Sequence, residues 1–195
     1  MHLASYCLSL LNNYQMKELE LEKAFMLLEP GPVVLVTTAS GRKNNIMTIS
    51  WHMVMDFTPQ FALVTGAWNY SFEALVKNRE CVIAIPTVDM AQKVVEIGTC
   101  SGSGTDKFTK FELTPLKAKS VRAPLIKECL ANIECKVSDY IEKHNIFILD
   151  AVQAWMDPVR KERRTIHANG DGTFNVDGRT LNYRKLMLSK IPSGV

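Results

Sequence analysis

Apolar and polar positions along the chain fall mostly into short runs of strand type, separated by turn signals. Val33-Val34-Leu35-Val36-Thr37-Thr38 is continuous and β-branched, which predicts a buried strand. After the turn Ser40-Gly41-Arg42-Lys43-Asn44 the pattern alternates. Met47, Ile49, Trp51, Met53 and Met55 share one face, expected to be core. Thr48, Ser50 and His52 share the other, which faces either solvent or a ligand. Phe61 to Thr65 and Cys81 to Ile85 predict two further strands. Ile133 to Asp139 and Ile146 to Val152 predict a pair joined by residues 140 to 145. Asn169-Gly170, Asp171-Gly172 and Asp177-Gly178 are turn signals.

Helical spacing is confined to short stretches. Lys17 to Leu28 carries an apolar stripe and is stopped by Glu29-Pro30-Gly31-Pro32. Phe72, Leu75 and Val76 follow Ser71, an N-cap type, and Lys77 and Arg79 suit the helix end. Asp89 and Gln92 form a capping-box pattern for a helix through Ile97, ended by Gly98. Lys107 to Phe111 is one more turn, capped by Thr105 or Asp106. Many short strands with few short helices predict a mainly β protein, a small barrel with helical insertions. No Gly-x-Gly-x-x-Gly follows a strand, which argues against a doubly wound sheet. One domain is expected over residues 17–195. Met16-Lys17-Glu18 reads as a natural start, so residues 1–16 are expected to be an extension with little structure.

The hydrophobic fraction of 47% and charged fraction of 22% are those of an ordinary globular chain. A net charge of +3 is too small to argue for nucleic acid. The basic cluster Arg160-Lys161-Glu162-Arg163-Arg164 contains a Glu and reads as a solvated face. No apolar run reaches the ~18 residues of a membrane span, and residues 3–11 lack the features of a signal peptide. The five cysteines, Cys7, Cys81, Cys100, Cys129 and Cys135, have no metal-ligand spacing. Their odd count fits reduced thiols in a cytoplasm. Cys81 is expected in the core; Cys100 lies in a Gly/Ser loop and is a candidate redox residue.

Three segments carry the candidate chemistry. One is the strand Asn45-Ile46-Met47-Thr48-Ile49-Ser50-Trp51-His52. Another is the turn Thr65-Gly66-Ala67-Trp68-Asn69-Tyr70-Ser71. The last is the loop Gly98 to Phe108, with Ser101, Gly102 and Lys107. Backbone donors at a helix start, hydroxyls, glycines that permit close approach and a lysine suit a phosphate. Ser71 or Asn69 equally suits simple capping, and Glu73 in the first turn would repel a phosphate. Thr48 and Ser50 suit the polar edge of a flat aromatic ring, and Trp51, Trp68 and Tyr70 suit its faces, although Trp51 falls with the apolar set. His52 reads as an ordinary hydrogen-bonded histidine.

These residues, with Ala123-Pro124-Leu125-Ile126-x-Glu128-Cys129, give the stretch from Pro30 to about Val137 a likeness to one family. It resembles the flavin reductase-like family, most closely in its flavoredoxin branch. The resemblance implies a homodimeric split β-barrel, Greek-key-like, with non-covalent FMN near the subunit interface. It implies redox or electron transfer, with no side chain needed as acid or base. It also implies that the Thr-Ile-Ser strand and the Tyr-Ser turn touch the flavin. Where related reductases carry Gly-Asp-His in a segment tied to nicotinamide use, this chain has Glu142-Lys143-His144. The His is kept and the Gly and Asp are not. Three readings follow: a reductase using NADH or NADPH with His144 at the donor site, an FMN-binding carrier that exchanges electrons with a redox protein partner, or a barrel without flavin that binds haem or nothing.

Overall fold

The computed structural model describes residues 16–192 and 194–195. The expected N-terminal extension, with Cys7, lies outside the described residues but for Met16. Among the described residues twelve strands form: β1 (Lys17–Leu19), β2 (Val34–Ser40), β3 (Lys43–Ile49), β4 (His52–Asp56), β5 (Gln60–Val64), β6 (Glu80–Ile85), β7 (Pro115–Leu116), β8 (Leu125–Ile126), β9 (Ala131–Ile141), β10 (Ile146–Met156), β11 (Ile166–Ala168) and β12 (Phe174–Val176). The same residues form three α-helices: α1 (Phe72–Asn78), α2 (Ala91–Gly98) and α3 (Lys107–Lys110).

The main sheet runs β3-β2-β6-β9-β10-β5-β4, all pairs antiparallel, with β1 on β10 beside the β5 pairing. Its two end strands are consecutive in the chain and joined only by Ser50-Trp51. In a flat sheet six interstrand spacings would separate them by about 29 Å. The link from Ile49 to His52 spans at most about 11 Å. The sheet must therefore roll into a barrel that stays split between β3 and β4. This is the mainly β split barrel expected.

The core explains the strand patterns. Val34, Val36, Met47, Ile49, Phe61, Leu63, Ile83, Phe147 and Leu149 fill the barrel. Leu35, Ile46 and Ala84 point the other way, onto Val94 and Ile97 of α2 and Phe108 of α3. β2 is thus buried on both faces, which is why its sequence does not alternate.

Several expectations change. Lys17 to Leu28 is not an α-helix: its first residues pair with β10, and Leu21–Leu27 forms a 3-10 helix that buries Ala24 and Phe25. The alternating run does not keep one face. Met47 and Ile49 are buried, but Trp51, Met53 and Met55 are 65%, 58% and 43% exposed. The chain leaves one end of the sheet at Ser50-Trp51 and re-enters at the other end with its alternation shifted by one residue, so Val54 packs on the core instead. The capping box is absent. Asp89 accepts from the Thr87 hydroxyl and pairs with Arg160 at 2.8 Å, and Gln92 donates to Glu96. Arg160 thereby leaves the solvated basic cluster.

Two buried glutamates hold residues 117–124 against the barrel. Glu134, fully buried, accepts from the backbone N–H of Lys119 and Ser120 and from the Trp155 indole at 2.9, 2.5 and 2.7 Å. Glu80 accepts from the Arg122 backbone and side chain and from Lys136 at 2.9, 2.8 and 2.6 Å. Burial works to raise the Glu80 pKa, but Lys136 and Arg122 outweigh it and hold the value low. A carboxyl with a lowered folded pKa stabilises fully above its unfolded pKa and loses that contribution as pH falls through the folded value. Glu80→Gln should cost about 1–2 kcal/mol at pH 7. The gap to the wild type should close below about pH 4; urea unfolding at a series of pH values reads it.

Candidate functional site

β3 is an end strand, so its outer backbone groups need partners other than a strand. α2, α3 and the loop between them supply these. The Thr48 hydroxyl donates to the Val94 carbonyl at 2.7 Å. The Lys107 ammonium, 4% exposed, donates to the carbonyls of Ile46 on β3 and Ile97 near the end of α2, at 2.8 and 2.9 Å. Helix carbonyls at a C-terminus lack backbone partners and favour a cation. Burial lowers the Lys107 pKa, and Lys110 adds to this against an opposing pull from Cys100. Asp106 caps α3, accepting from the backbone N–H of Phe108 and Thr109 at 3.1 and 3.3 Å.

The loop comes down on Asn45 and Tyr70. A Cβ on Gly102 would stand 2.2 Å from Asn45 Oδ1 and 2.7 Å from the Tyr70 ring. Only glycine permits that approach. Asn45 donates through Nδ2 to Ser71 Oγ at 2.8 Å, and Thr38 donates to the same oxygen at 3.0 Å. Asn45 Oδ1 is buried with no hydrogen-bond partner. An unpaired buried carbonyl oxygen costs about 1–3 kcal/mol unless a ligand or water satisfies it.

Three adjoining cavities run along this edge. One of about 190 Å³ lies among Asn45, Met47, Thr48, Trp68, Asn69, Tyr70, Cys100, Ser101, Gly102 and Lys107. Beyond Tyr70 and Gly102 a cleft of about 540 Å³ is lined by Arg42, Lys43, Asn44, residues 103–106, Phe108 and Thr109. On the other side, about 180 Å³ lies among Thr48, Ile49, Ser50, Trp51, Val64, Trp68 and Asn69. The arrangement offers a mostly polar cavity wall with the exposed rings of Trp68 and Tyr70 at its side, ending in a cleft lined by Arg42 and Lys43.

Residues 26–174, well over half the chain, match the family described as "Flavin reductase like domain". The chain belongs to this family. Among its relatives, an Archaeoglobus fulgidus protein is 36% identical over 54% of this chain, a stretch spanning 62% of that relative. The Escherichia coli protein YddH is 30% identical over 83% of this chain and 94% of its own length. Solved structures share the fold. An FMN-binding domain of a flavin reductases-like enzyme from Shewanella baltica superposes with a TM-score of 0.79 at 24% identity, over 86% of this chain and 97% of that one. Flavoredoxin of Desulfovibrio vulgaris gives 0.72 at 24% identity, over 78% and 89%.

Most of the residues singled out from this flavin reductase-like sequence come together. Met47, Thr48, Trp68, Tyr70, Ser101, Gly102 and Lys107 line the central cavity, and Ile49, Ser50 and Trp51 the neighbouring one. Trp51 is 65% exposed and lines the site edge instead of the core. Thr65, Gly66 and Ser71 stand behind the surface. Thr65 donates to the Met47 sulfur and accepts from Asn69 at 3.0 Å. Gly66 makes room for the Trp68 ring, which lies 2.3 Å from where a Cβ would be. The Ser71 hydroxyl is taken up by Thr38 and Asn45 and does not cap α1. Lys107 is buried, not a free loop cation. His144 is exposed at the tip of the β9–β10 hairpin and lines none of these cavities. His52, as expected, is structural: its Nε2 lies 2.6 Å from the Pro32 carbonyl, and burial lowers its pKa. Sequence reasoning missed Asn45 as the unpaired acceptor and Arg42-Lys43 as the cleft cations. Both lay inside segments read as strand start and turn.

The glycines of the loop differ sharply. Gly104 has open space around its Cβ position, while Gly102 has none. Gly102→Ala should destabilise by about 1–3 kcal/mol through overpacking. Gly104→Ala should leave the thermal midpoint within about 1 °C of the wild type or raise it slightly. Differential scanning calorimetry compares the two.

Proposed function

We propose that this chain binds FMN non-covalently and acts as a flavoredoxin-like redox protein, taking electrons from NADH or NADPH. The unpartnered Asn45 Oδ1 under the Gly102 loop carries this reading. It asks for a ligand N–H at the polar edge of β3, which an isoalloxazine edge supplies. The central cavity alone is smaller than the ~300–1,000 Å³ typical of cofactor-sized ligands, but the adjoining run reaches that range. Trp68 and Tyr70, 64% and 47% exposed, can cover ring faces. The backbone of residues 102–105, with Arg42 and Lys43, suits a phosphate in the larger cleft. FMN-binding proteins among the solved structures of this fold support the same cofactor. FMN when bound supplies the hydride and electron chemistry; the chain's residues bind it, orient its ring and exclude water from it.

A homodimer belongs to this reading. Met53, Met55 and Phe57 are 58%, 43% and 52% exposed along or beside the end strand β4, next to Trp51 at the site edge. A second copy of the chain would cover them and shelter the flavin. The four described cysteines are free, which supports a reducing compartment such as the cytoplasm.

A second reading, an FMN carrier with no nicotinamide oxidation of its own, is favoured by the position of His144 outside the cavities. Stopped-flow mixing of the flavin-loaded protein with NADH or NADPH separates the two. Flavin bleaching on mixing supports the reductase, and slower bleaching in His144→Ala would return that residue to the donor site. No bleaching with either nucleotide supports the carrier.

FMN should bind at least tenfold more tightly than riboflavin, because the phosphate is expected to meet the basic cleft. Replacing Arg42 and Lys43 together by Ala should remove most of that difference while leaving riboflavin affinity unchanged; each charge-assisted contact is worth about 1.5–3 kcal/mol. Flavin fluorescence quenching measures both, and equal affinities in the wild type would refute the phosphate assignment. Sedimentation at micromolar concentration should show a dimer, which Met53→Glu should convert to monomer.

A further inference from the structure

One reactive group in this region is unused by the reading above. Cys100 is the only half-buried cysteine among the described residues; Cys81, Cys129 and Cys135 are fully buried. Cys100 lines the central cavity together with Asn45, and its side chain packs against the apolar cluster of α2 and α3. Lys110 reaches it, with Nζ 3.6 Å from Sγ. The same ammonium lies 5.2 Å from the centre of the Phe111 ring. Contact with the Thr105 hydroxyl, then the charges of Lys110 and Lys107, hold the thiol below its ordinary pKa despite some opposing burial. Burial does the reverse to Cys129 and Cys135, whose thiols are pushed up. Independently of the thiol, the cavity wall carries an unpaired polar atom. Asn45 is 6% exposed, and its Oδ1 has no partner in the protein.

We propose that Cys100 is a nucleophilic modification site in the wall of this cavity, exchanging with disulfides of small thiols, and that its modification and flavin binding exclude each other. The chemistry is thiol–disulfide exchange. The Cys100 thiolate attacks one sulfur of a small disulfide, a new S–S bond forms at Sγ and the old one breaks. The departing thiolate keeps the electron pair and takes up the proton that Cys100 released. Cys100 is oxidised and half of the disulfide is reduced. A second small thiol reverses the step. The central cavity of about 190 Å³ joins the two beside it, so an adduct on Cys100 would take up space that a flavin lying along the run needs. Thiolate character and access together set the rate of such exchange. Cys100 has both, whereas the other described cysteines are buried and out of reach. The device would make cofactor loading respond to the small-thiol redox state. Its flavin half rests on the proposed function, and its thiol half does not.

The full chain, stripped of flavin, is mixed with oxidised glutathione at pH 7, and adducts are located by peptide mapping, which separates Cys100 from Cys7. The expected result is an adduct on Cys100 that dithiothreitol removes. Lys110→Ala should slow it about three- to tenfold, and Lys110→Arg should restore most of the rate. The pH midpoint of alkylation by iodoacetamide should rise in Lys110→Ala. Saturating FMN should protect Cys100 at least tenfold, and the Cys100 adduct should weaken FMN binding equally. A Cys100 rate no faster than in the urea-unfolded chain, or one indifferent to Lys110→Ala, overturns the thiol site. FMN that binds the wild type by fluorescence quenching yet gives no protection overturns the exclusion. FMN that does not bind at all removes the flavin reading and the exclusion with it, while the rate, midpoint and Lys110 dependence still decide the thiol.

Discussion

The two-residue link between the ends of the main sheet governs the rest of this structure. Ser50-Trp51 joins β3 to β4 across a distance that a flat sheet could not meet, so the sheet rolls up and stops short of closing. A closed barrel has no edges. This split one leaves the outer edge of β3 unpaired, with carbonyls that water or the protein must satisfy. The chain answers with the α2–α3 region. Lys107 places a buried ammonium between an edge carbonyl and a helix-end carbonyl, and Thr48 donates to α2. The helices are thereby fixed over the edge, and the loop between them descends on Asn45. The cavity is a by-product of satisfying an edge strand.

Buried polar groups divide into two kinds that do different work. Glu134 and Glu80 are satisfied by backbone N–H groups and cations, and they fasten residues 117–124 to the barrel. Such groups contribute to stability because breaking them would strand a charge in the interior. Asn45 is the opposite case: half of its amide is committed to Ser71 and half is left open. The two buried carboxylates are fully satisfied, while the Asn45 carbonyl oxygen stays unpaired beneath Gly102 in the wall of the central cavity, as does His52 Nδ1 elsewhere in the structure.

Much of the fold was legible in the sequence because the responsible signals are local. The β-branched run of β2, the turn around Gly41 and the Asp106 cap each follow from a few neighbouring residues. The failures share a cause in tertiary context. Met47 to Met55 alternates without a break, and nothing local marks Ser50-Trp51 as the point where the chain changes from one end of the sheet to the other. That change reverses which residues face inward. Lys17 to Leu28 has spacing that fits a 3-10 helix as well as an α-helix, and its first residues are claimed by β10. In the site, the glycine and the aromatic turn were visible as residue types. The burial of Lys107 and the unpaired oxygen of Asn45 were not, because each depends on the loop meeting an edge strand more than 50 residues earlier in the chain.

The charges around the loop show why its cations are not equivalent. Lys107, Lys110, Arg42 and Lys43 all stand near residues 100–106, and Asp106 among them is committed to capping α3. Lys107 is spent on backbone carbonyls, so its charge acts through the local field and not as a free contact. Lys110 is directed at Cys100, and Arg42 and Lys43 remain exposed at the cleft. A concave site with a positive rim concentrates anions and raises their association rate. Lys110 and the buried Lys107 lower the cost of a thiolate at Cys100. An anionic ligand in the cleft would in turn screen these cations and make that thiolate dearer to form. Ligand and thiolate therefore compete for one field as well as for one space, and this electrostatic competition acts even where the two do not touch.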